Sequence, residues 1–592
     1  MQSYAKKQAP TEAEVAQWGG FVKQLASNAS NDAPEKPKSM ANAFFLKVAR
    51  VLWARGELSD AEVARVEERM RIVRGKSNSG VLVITVFTSP KPTYTDPVSG
   101  EERTQAFSCK WNCHYCPNQP GQPRSYLERE PGVLRANRYG FDCVAQMIGR
   151  MEDLYDMGPA VDKLEVLVLG GTWASYPEPY REAFVRDIYY AANTFELRGR
   201  ERGTLEDERG ENRESRVKII GITIETRPDT ITDTALATLR RYGCTRVQIG
   251  IQHLDDGILK KIQRGCLRRE VVAAIARLKA WGFKIDGHFM PNLPGASPAL
   301  DRWMLVEQLL GCGEVVARPI PEVLGEAVAD WTVWPVRHPE LQIDQWKVYP
   351  CETTPYTVIE KWFREGSYVP YPETELVPVL LDMKPAVFPW IRLNRIVRDI
   401  PTDYILASGD HPNLRQDLGL ALKKRGAVCR CIRCREVKLG GFSTSDADTV
   451  YRIREYGAAS PGACDGATEL FIACEHRVKQ TLYGFVRLRL PATDEPSPHA
   501  SFKDHAWIRE LHVYGRLQKT TTDSRSVADT EHSAQHRGIG KQLMHLAETL
   551  AFQVYSKKML LVIAGEGTKG YYYRLGYRET HHGYMGKHKI EG

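Results

Sequence analysis

Three cysteines lie in the eight-residue run Cys109-Lys-Trp-Asn-Cys113-His-Tyr-Cys116, and this triplet constrains the chain more than any other feature. Thiolates at C-x3-C-x2-C spacing can hold three irons of a [4Fe–4S] cluster, because such clusters are carried by cysteine sulfur. A fourth cysteine at short spacing is missing, which leaves one iron open to a small ligand. A zinc site is the competing reading, but it would call for a fourth ligand close by. The loop needs a scaffold, and the flanking sequence supplies one. Apolar runs recur at 81–87, 163–169, 219–224, 246–251, 283–289 and 345–349. Helical patterns such as 233–241 and 269–281 separate them. Short apolar strands alternating with helices predict a parallel α/β sheet, open or closed into a barrel.

In such sheets chemistry gathers where the strands end. Gly170-Gly171-Thr172 ends the second run, Glu225-Thr226-Arg227 the third, Gln252-His253 the fourth and His288 the fifth. A Gly-Gly pair lets backbone approach a ligand closely. Lys347 lies on the sixth run between Trp346 and Tyr349, where it can reach a substrate as readily as solvent.

At 592 residues the chain is too long for one core and predicts roughly three or four domains. No run of about 18 apolar residues exists, so no membrane span is expected. The first residues lack the apolar core of a secretory signal. The 13 cysteines cluster like ligand sets and point to a reducing, cytoplasmic setting. A net charge of +8 suits a polyanionic partner. Residues 1–38 are polar and read as a disordered leader. Residues 39–76 read as basic helices, with Lys47, Arg50, Arg55, Arg65, Arg69, Arg71, Arg74 and Lys76 among their apolar positions. These basic residues fit a solvated face or nucleic-acid contact equally well. The charged stretch 198–216 reads as an exposed insertion.

A second triplet, Cys429-Arg-Cys431-Ile-Arg-Cys434, suits tetrahedral zinc, with a second iron–sulfur cluster or no metal as alternatives. Cys351, Cys464, Cys474, His476 and His411 are all candidates for the fourth ligand. From about Thr468 longer strands begin, followed by Gln535-His-Arg537-Gly538-Ile-Gly540 and then a helical pattern over 541–552. A glycine loop opening a helix offers free N–H groups to a pyrophosphate. Gly570-Tyr571-Tyr572-Tyr573-Arg-Leu-Gly576-Tyr577 closes the chain's last apolar segment.

The cysteine spacing, with Tyr115 before the last cysteine, resembles the radical S-adenosylmethionine superfamily. The order strand, Q-x-x-G-x-G, helix, strand and Tyr-Arg-Leu-Gly-Tyr resembles GCN5-related acetyltransferases. Both together, with phrases such as Gly221-Ile-Thr-Ile-Glu-Thr-Arg-Pro-Asp229 and His288-Phe-Met-Pro-Asn-Leu-Pro294, resemble the catalytic-subunit family of Elongator, which modifies the tRNA wobble uridine. The resemblance covers about residue 75 to the end. It departs from the pattern in the short first cysteine gap and in an insertion at 94–100.

The resemblance implies a partial TIM-like barrel over 77–400, a zinc-binding linker over 401–465 and an α+β acetyltransferase domain over 466–592. It implies that Cys109, Cys113 and Cys116 ligate iron, and that Gly170, Gly171, Thr172 and Glu225 line the S-adenosylmethionine site. Gln535, Arg537, Gly538 and Gly540 would hold the acetyl-CoA pyrophosphate, and Tyr571 and Tyr572 the thioester or its hydrolytic water. The implied reaction moves a carboxymethyl group from acetyl-CoA to C5 of uridine by radical chemistry. The implied partner is a tRNA anticodon stem–loop, with other Elongator subunits left open. The rival reading is a protein lysine acetyltransferase with a structural cluster, which needs a general base near the thioester, for which Glu510 is the candidate.

Overall fold

The computed structural model describes residues 10–27, 42–70, 81–156, 161–195, 199–407, 413–437, 449–457, 466–492, 495–515 and 538–590. Its strands in chain order begin with β1 (Leu82–Phe87), the hairpin β2 (Thr93–Thr95) and β3 (Glu102–Thr104), β4 (Lys163–Leu169), β5 (Lys218–Thr226), β6 (Cys244–Gln252) and β7 (Lys284–Phe289). Next come β8 (Val316–Ala317), β9 (Val328–Trp334), β10 (Gln345–Val348), β11 (Arg392–Arg395) and β12 (Thr449–Gly457). The last are β13 (Thr468–His476), β14 (Leu482–Leu490), β15 (His505–Val513), β16 (Met559–Val562), β17 (Arg578–Glu579) and β18 (Met585–His588).

Seven strands form one parallel sheet in the order β1-β4-β5-β6-β7-β10-β11. Its edge strands β1 and β11 do not meet, so the sheet is a curled half-barrel. The crossover helices Cys143–Asp156, Glu178–Asn193, Asp233–Arg241 and Arg268–Ala280 cover its outside and bury Met147, Ile188, Leu236 and Leu278. Parallel pairing throughout brings every strand's carboxyl end to one rim, and that rim collects the cysteine loop, the Gly-Gly turn, Glu225 and His288.

The second sheet has nine strands in the order β17-β18-β16-β15-β14-β13-β12-β9-β8. Its strand β9 falls within the span read as barrel, yet it pairs in parallel with β12, Trp331 opposite Ile453. The boundary between the sheets is therefore not a single point in sequence. They share one continuous apolar core, and buried ions stitch them together. Arg509 on β15 donates to both oxygens of Asp344, at 3.0 and 2.6 Å, just before β10. Arg487 on β14 lies 3.5 Å from the same Asp344 and donates to Glu510 of its own sheet at 2.9 Å.

Two readings of the sequence need correction. Residues 12–27, inside the span read as a disordered leader, form helix α1. Its Val15, Val22, Leu25 and Ala26 pack with Phe45, Leu46 and Val66 of helices α2 (Asn42–Ala54) and α3 (Asp60–Met70). The 3–4-residue apolar spacing along α1 is the helical stripe that average polarity conceals. The described part of the charged stretch 198–216 is no free insertion. It forms the helix Leu205–Asn212, capped by Thr204 and Asp207, and its Arg209 and Arg213 ion-pair with the fully buried Glu566 of the C-terminal region.

The basic helices also spend much of their charge internally. Lys47 and Arg50 pair with Asp156, Arg55 with Glu12, and Arg65 and Arg69 donate to the carbonyls of Ala26 and Leu25 that end α1. Arg71, Arg74 and Lys76 lie outside the described residues.

Candidate functional site

The cysteine loop has no regular secondary structure and is pinned by distant backbone. His114 N donates to Ile262 O at 2.9 Å, and Val358 N to His114 O at 3.0 Å. Cys109 Sγ lies 3.3 Å from the Thr172 hydroxyl. Cys113 Sγ accepts from Arg227 Nη1 at 3.5 Å and Arg264 Nη1 at 3.6 Å. Burial pushes the Cys116 thiol up to about 11 against the pull of Arg124. Among the described residues only Cys429, Cys431 and Cys434 bring three ligand atoms within 4.8 Å of one another. The triplet 109/113/116 therefore does not close on a single ion. Cys109 and Cys113 each face a donor, Thr172 for one and two arginines for the other.

Gly170 and Gly171 follow β4 with φ of 124° and 108°. A Cβ on Gly171 would stand 2.7 Å from Ser108 O, and one on Gly170 would stand 2.4 Å from Thr88 Oγ1. Only glycine fits, and the turn lies directly beneath the cysteine loop. Tyr176 supports it from behind, donating to Gly170 O at 2.5 Å.

Inside the half-barrel, Glu225 accepts from Tyr126 Oη at 2.7 Å and faces His288 Nδ1 at 3.6 Å. Lys347 Nζ donates to Gln248 Oε1 at 2.7 Å, sits 3.2 Å from His288 Nε2, and lies 3.8 Å from Asp286. Burial, with Lys347 beside it, holds His288 well below its ordinary range, so it is neutral at pH 7. Burial also raises Glu225 and Asp286 and lowers Lys347. Shared charge in a desolvated cleft marks a functional site. The sequence reading singled out Glu225, His288 and Lys347. It missed Gln248, Asp286 and Tyr126. Period-two alternation back from Gln252 through Gly250 puts Gln248 on the same face of β6 and could have found it.

In the C-terminal region Gly538, with φ 77°, caps the helix Ile539–Thr549. Strands β15 and β16 pair only from His505 to Ile508 and from Met559 to Val562. Beyond that the two strands have no ladder between them, although β15 runs on to Val513. Among the described residues Tyr571 Oη has no hydrogen-bond partner and is buried, and a Cβ on Gly540 would stand 3.4 Å from it. Tyr572 is buried edge-on to Tyr571, 5.2 Å between ring centres. Gln535 and Arg537 lie outside the described residues.

Glu510, the candidate general base of the rival reading, is tied up as the acceptor of Arg487 Nε at 2.9 Å. Burial pushes its carboxyl up, but Arg487, Lys284 and Arg246 outweigh burial and hold it far below the carboxylate range. In the second triplet, sulfur hydrogen bonds from Cys429 and Cys431 draw Cys434 toward the thiolate, helped by Lys384 and Arg415. Of the fourth-ligand candidates, Cys351 bonds Tyr368 and Cys474 bonds Tyr451. His476 accepts from Val478 N and Lys479 N on Nδ1. His411 and Cys464 lie outside the described residues.

A curled parallel sheet with a three-cysteine loop over a Gly-Gly turn defines the radical S-adenosylmethionine class. Residues 106–299 match the Radical SAM superfamily and residues 343–423 the Radical SAM C-terminal domain. The chain belongs to the family of tRNA uridine(34) acetyltransferases and Elongator complex protein 3. It is 33% identical to the tRNA uridine(34) acetyltransferase of Dehalococcoides mccartyi over 86% of this chain and 98% of that one. It is 32% identical to Elongator complex protein 3 of Saccharomyces cerevisiae over 86% and 84%. Among solved structures it resembles the archaeal Elp3 of Methanocaldococcus infernus with an N-terminal deletion, at 28% identity and a TM-score of 0.67, covering 86% of this chain and all of that one.

Proposed function

We propose that this protein modifies C5 of the tRNA wobble uridine, taking a carboxymethyl unit from acetyl-CoA. What supports this reading is that a three-cysteine loop over a Gly-Gly turn and a second glycine turn beside the Tyr571 hydroxyl belong to one chain with a single packed core. The Dehalococcoides mccartyi relative is named for action on uridine 34 of tRNA, and both halves of such chemistry have a counterpart here.

Cys109, Cys113 and Cys116 would hold a [4Fe–4S] cluster. When bound, that cluster supplies one-electron reductive cleavage of S-adenosylmethionine. Gly170, Gly171 and Thr172 offer backbone and hydroxyl groups to the methionine end, and Glu225 lines the same cleft. Lys347 is oriented by Gln248 and His288 and presents a cation to the acyl oxygen or the uracil carbonyls. His288, neutral, accepts from Lys347 and leaves its Nδ1 proton toward Glu225, giving the cleft a short proton relay. The region from β12 to the end acts as a GCN5-related acetyltransferase fold. The stretch of β15 beyond Ile508, which β16 does not cover, would take the thioester, Gly538 and Gly540 with Gln535 and Arg537 would hold the pyrophosphate, and Tyr571 and Tyr572 would face the thioester. Cys429, Cys431 and Cys434 hold a structural zinc. Arg415 and Arg433, which among the described residues bond only to backbone carbonyls, give that segment positive charge suited to an RNA backbone.

The test is anaerobic. Reconstituted enzyme receives dithionite, S-adenosylmethionine, methyl-labelled acetyl-CoA and tRNA, and the digested nucleosides are weighed. Labelled 5-carboxymethyluridine with 5′-deoxyadenosine is expected. Unmodified tRNA alongside an acetylated protein lysine would overturn the proposal.

A further inference from the structure

Arg264 is a buried cation with an unusual partner. Its residue is 5% exposed, and among the described residues no carboxylate lies within ion-pair distance of it. Nη2 donates to Gly250 O at 2.5 Å and Nη1 to Cys113 Sγ at 3.6 Å. A buried charge without a counter-ion is costly, and the Cys113 sulfur is the side-chain acceptor that Arg264 reaches. The turn that delivers Arg264 is built for the purpose. Gln263 and Gly265 on either side have φ of 52° and 62°, and for Gln263 that conformation carries strain. The same turn takes the cysteine loop's backbone bond, His114 N to Ile262 O.

Arg227 reaches Cys113 from the end of β5. It is 2% exposed, and its own charge is met by Asp229 at 2.9 and 3.0 Å. Its Nη2 donates to Arg264 O at 2.6 Å, and its face lies 4.3 Å from the Trp111 ring centre. Two guanidinium groups, locked by separate anchors, thus converge on one sulfur.

We infer that Arg264, with Arg227, sets the reduction potential of the cluster by donating to the Cys113 sulfur. Hydrogen bonds to cluster sulfur and nearby charge are the protein's levers on that potential. Reduction adds an electron to a site that is largely out of water, where a fixed cation counts for more than at the surface. The reduced form gains most from the two arginines, so they raise the potential and make the cluster easier to load with the electron its chemistry needs. Arg264 is a positioning and tuning residue; it touches a ligand of the cluster and no substrate. The inference rests on reading Cys109, Cys113 and Cys116 as cluster ligands, and on nothing about the substrate.

The test is a redox titration of the reconstituted full chain, following the electron paramagnetic resonance signal of the reduced cluster. Iron and sulfide per chain and the circular dichroism spectrum are recorded alongside. Arg264→Gln is expected to keep wild-type iron and shift the midpoint to more negative potential. Arg227→Gln is expected to shift it the same way, and Arg264→Lys, which keeps the charge, to lie closer to wild type. Arg364→Gln removes an exposed cation paired with Glu360 and is expected to leave the midpoint unchanged. Where one glutamine variant fails to load, the other decides. An unchanged midpoint in a loaded glutamine variant overturns the inference, as does loss of fold or cluster in both, since the arginines would then be structural. Wild-type protein that takes up no iron would overturn the cluster reading itself, and this inference with it.

Discussion

The two cysteine triplets use the same residue at nearly the same spacing and end in opposite geometries. Cys429, Cys431 and Cys434 are folded inward by a local turn. Cys431 caps the four-residue helix Ile432–Arg435 and Cys434 N bonds back to Cys431 O, so all three sulfurs fall within 4.8 Å. In the other triplet Cys109 faces Thr172 after β4, and Cys113 is held by both Arg227 after β5 and Arg264 after β6, so distant elements set where these sulfurs stand. A locally closed set suits one ion, and a set held open from three strand ends suits a cluster with room for a further ligand. Spacing alone does not decide nuclearity; what surrounds the sulfurs does.

The strongest way to break this contrast is Cys113→Ser. Cluster iron and uridine modification should both be lost, while zinc content and tRNA binding stay near wild type, as read by metal analysis and a gel-shift titration. Loss of zinc as well would show that the two sites are one coupled unit. Cys434→Ser should do the reverse, emptying zinc while iron is retained. Removing a metal ligand from the segment packed around Ile432 should cost on the order of 3 kcal/mol, seen as earlier thermal unfolding. A finer probe is Gly171→Ala, which should spare both metals. The added Cβ meets Ser108 O in a left-handed turn, with strain of about 1–3 kcal/mol. S-adenosylmethionine should then bind roughly 10- to 100-fold more weakly, measured by equilibrium binding to the reconstituted protein. Unchanged affinity would remove the Gly-Gly turn from the site. Arg264→Gln, the smallest change, should alter neither metal nor fold and move only the potential.

Much of this was legible in sequence because it is local. The apolar runs gave the parallel strands, since a strand buried on both faces reads as a continuous apolar stretch. The ends of those runs located Gly170, Gly171, Glu225, His288 and Lys347, and all of them lie at the cleft. Helix α1 was obscured because its apolar stripe is diluted by polar neighbours. The helix Leu205–Asn212 was misread because charge density resembles solvent exposure until a buried partner such as Glu566 is known. Glu510 looked available as a base only while Arg487, 23 residues away in sequence, was out of view.

By itself the sequence determined the class of fold, the two sulfur sites and the glycine turns, because periodicity and short spacings depend on neighbours along the chain. Tertiary structure alone decided that β9 leaves the half-barrel's sequence span to join the other sheet, and that Arg227 and Arg264 meet on Cys113. It also decided which charges are ligands, ties or spectators. These outcomes depend on burial and on contacts between residues tens to hundreds of positions apart. A charge buried beside another is a different chemical group from the same charge in water.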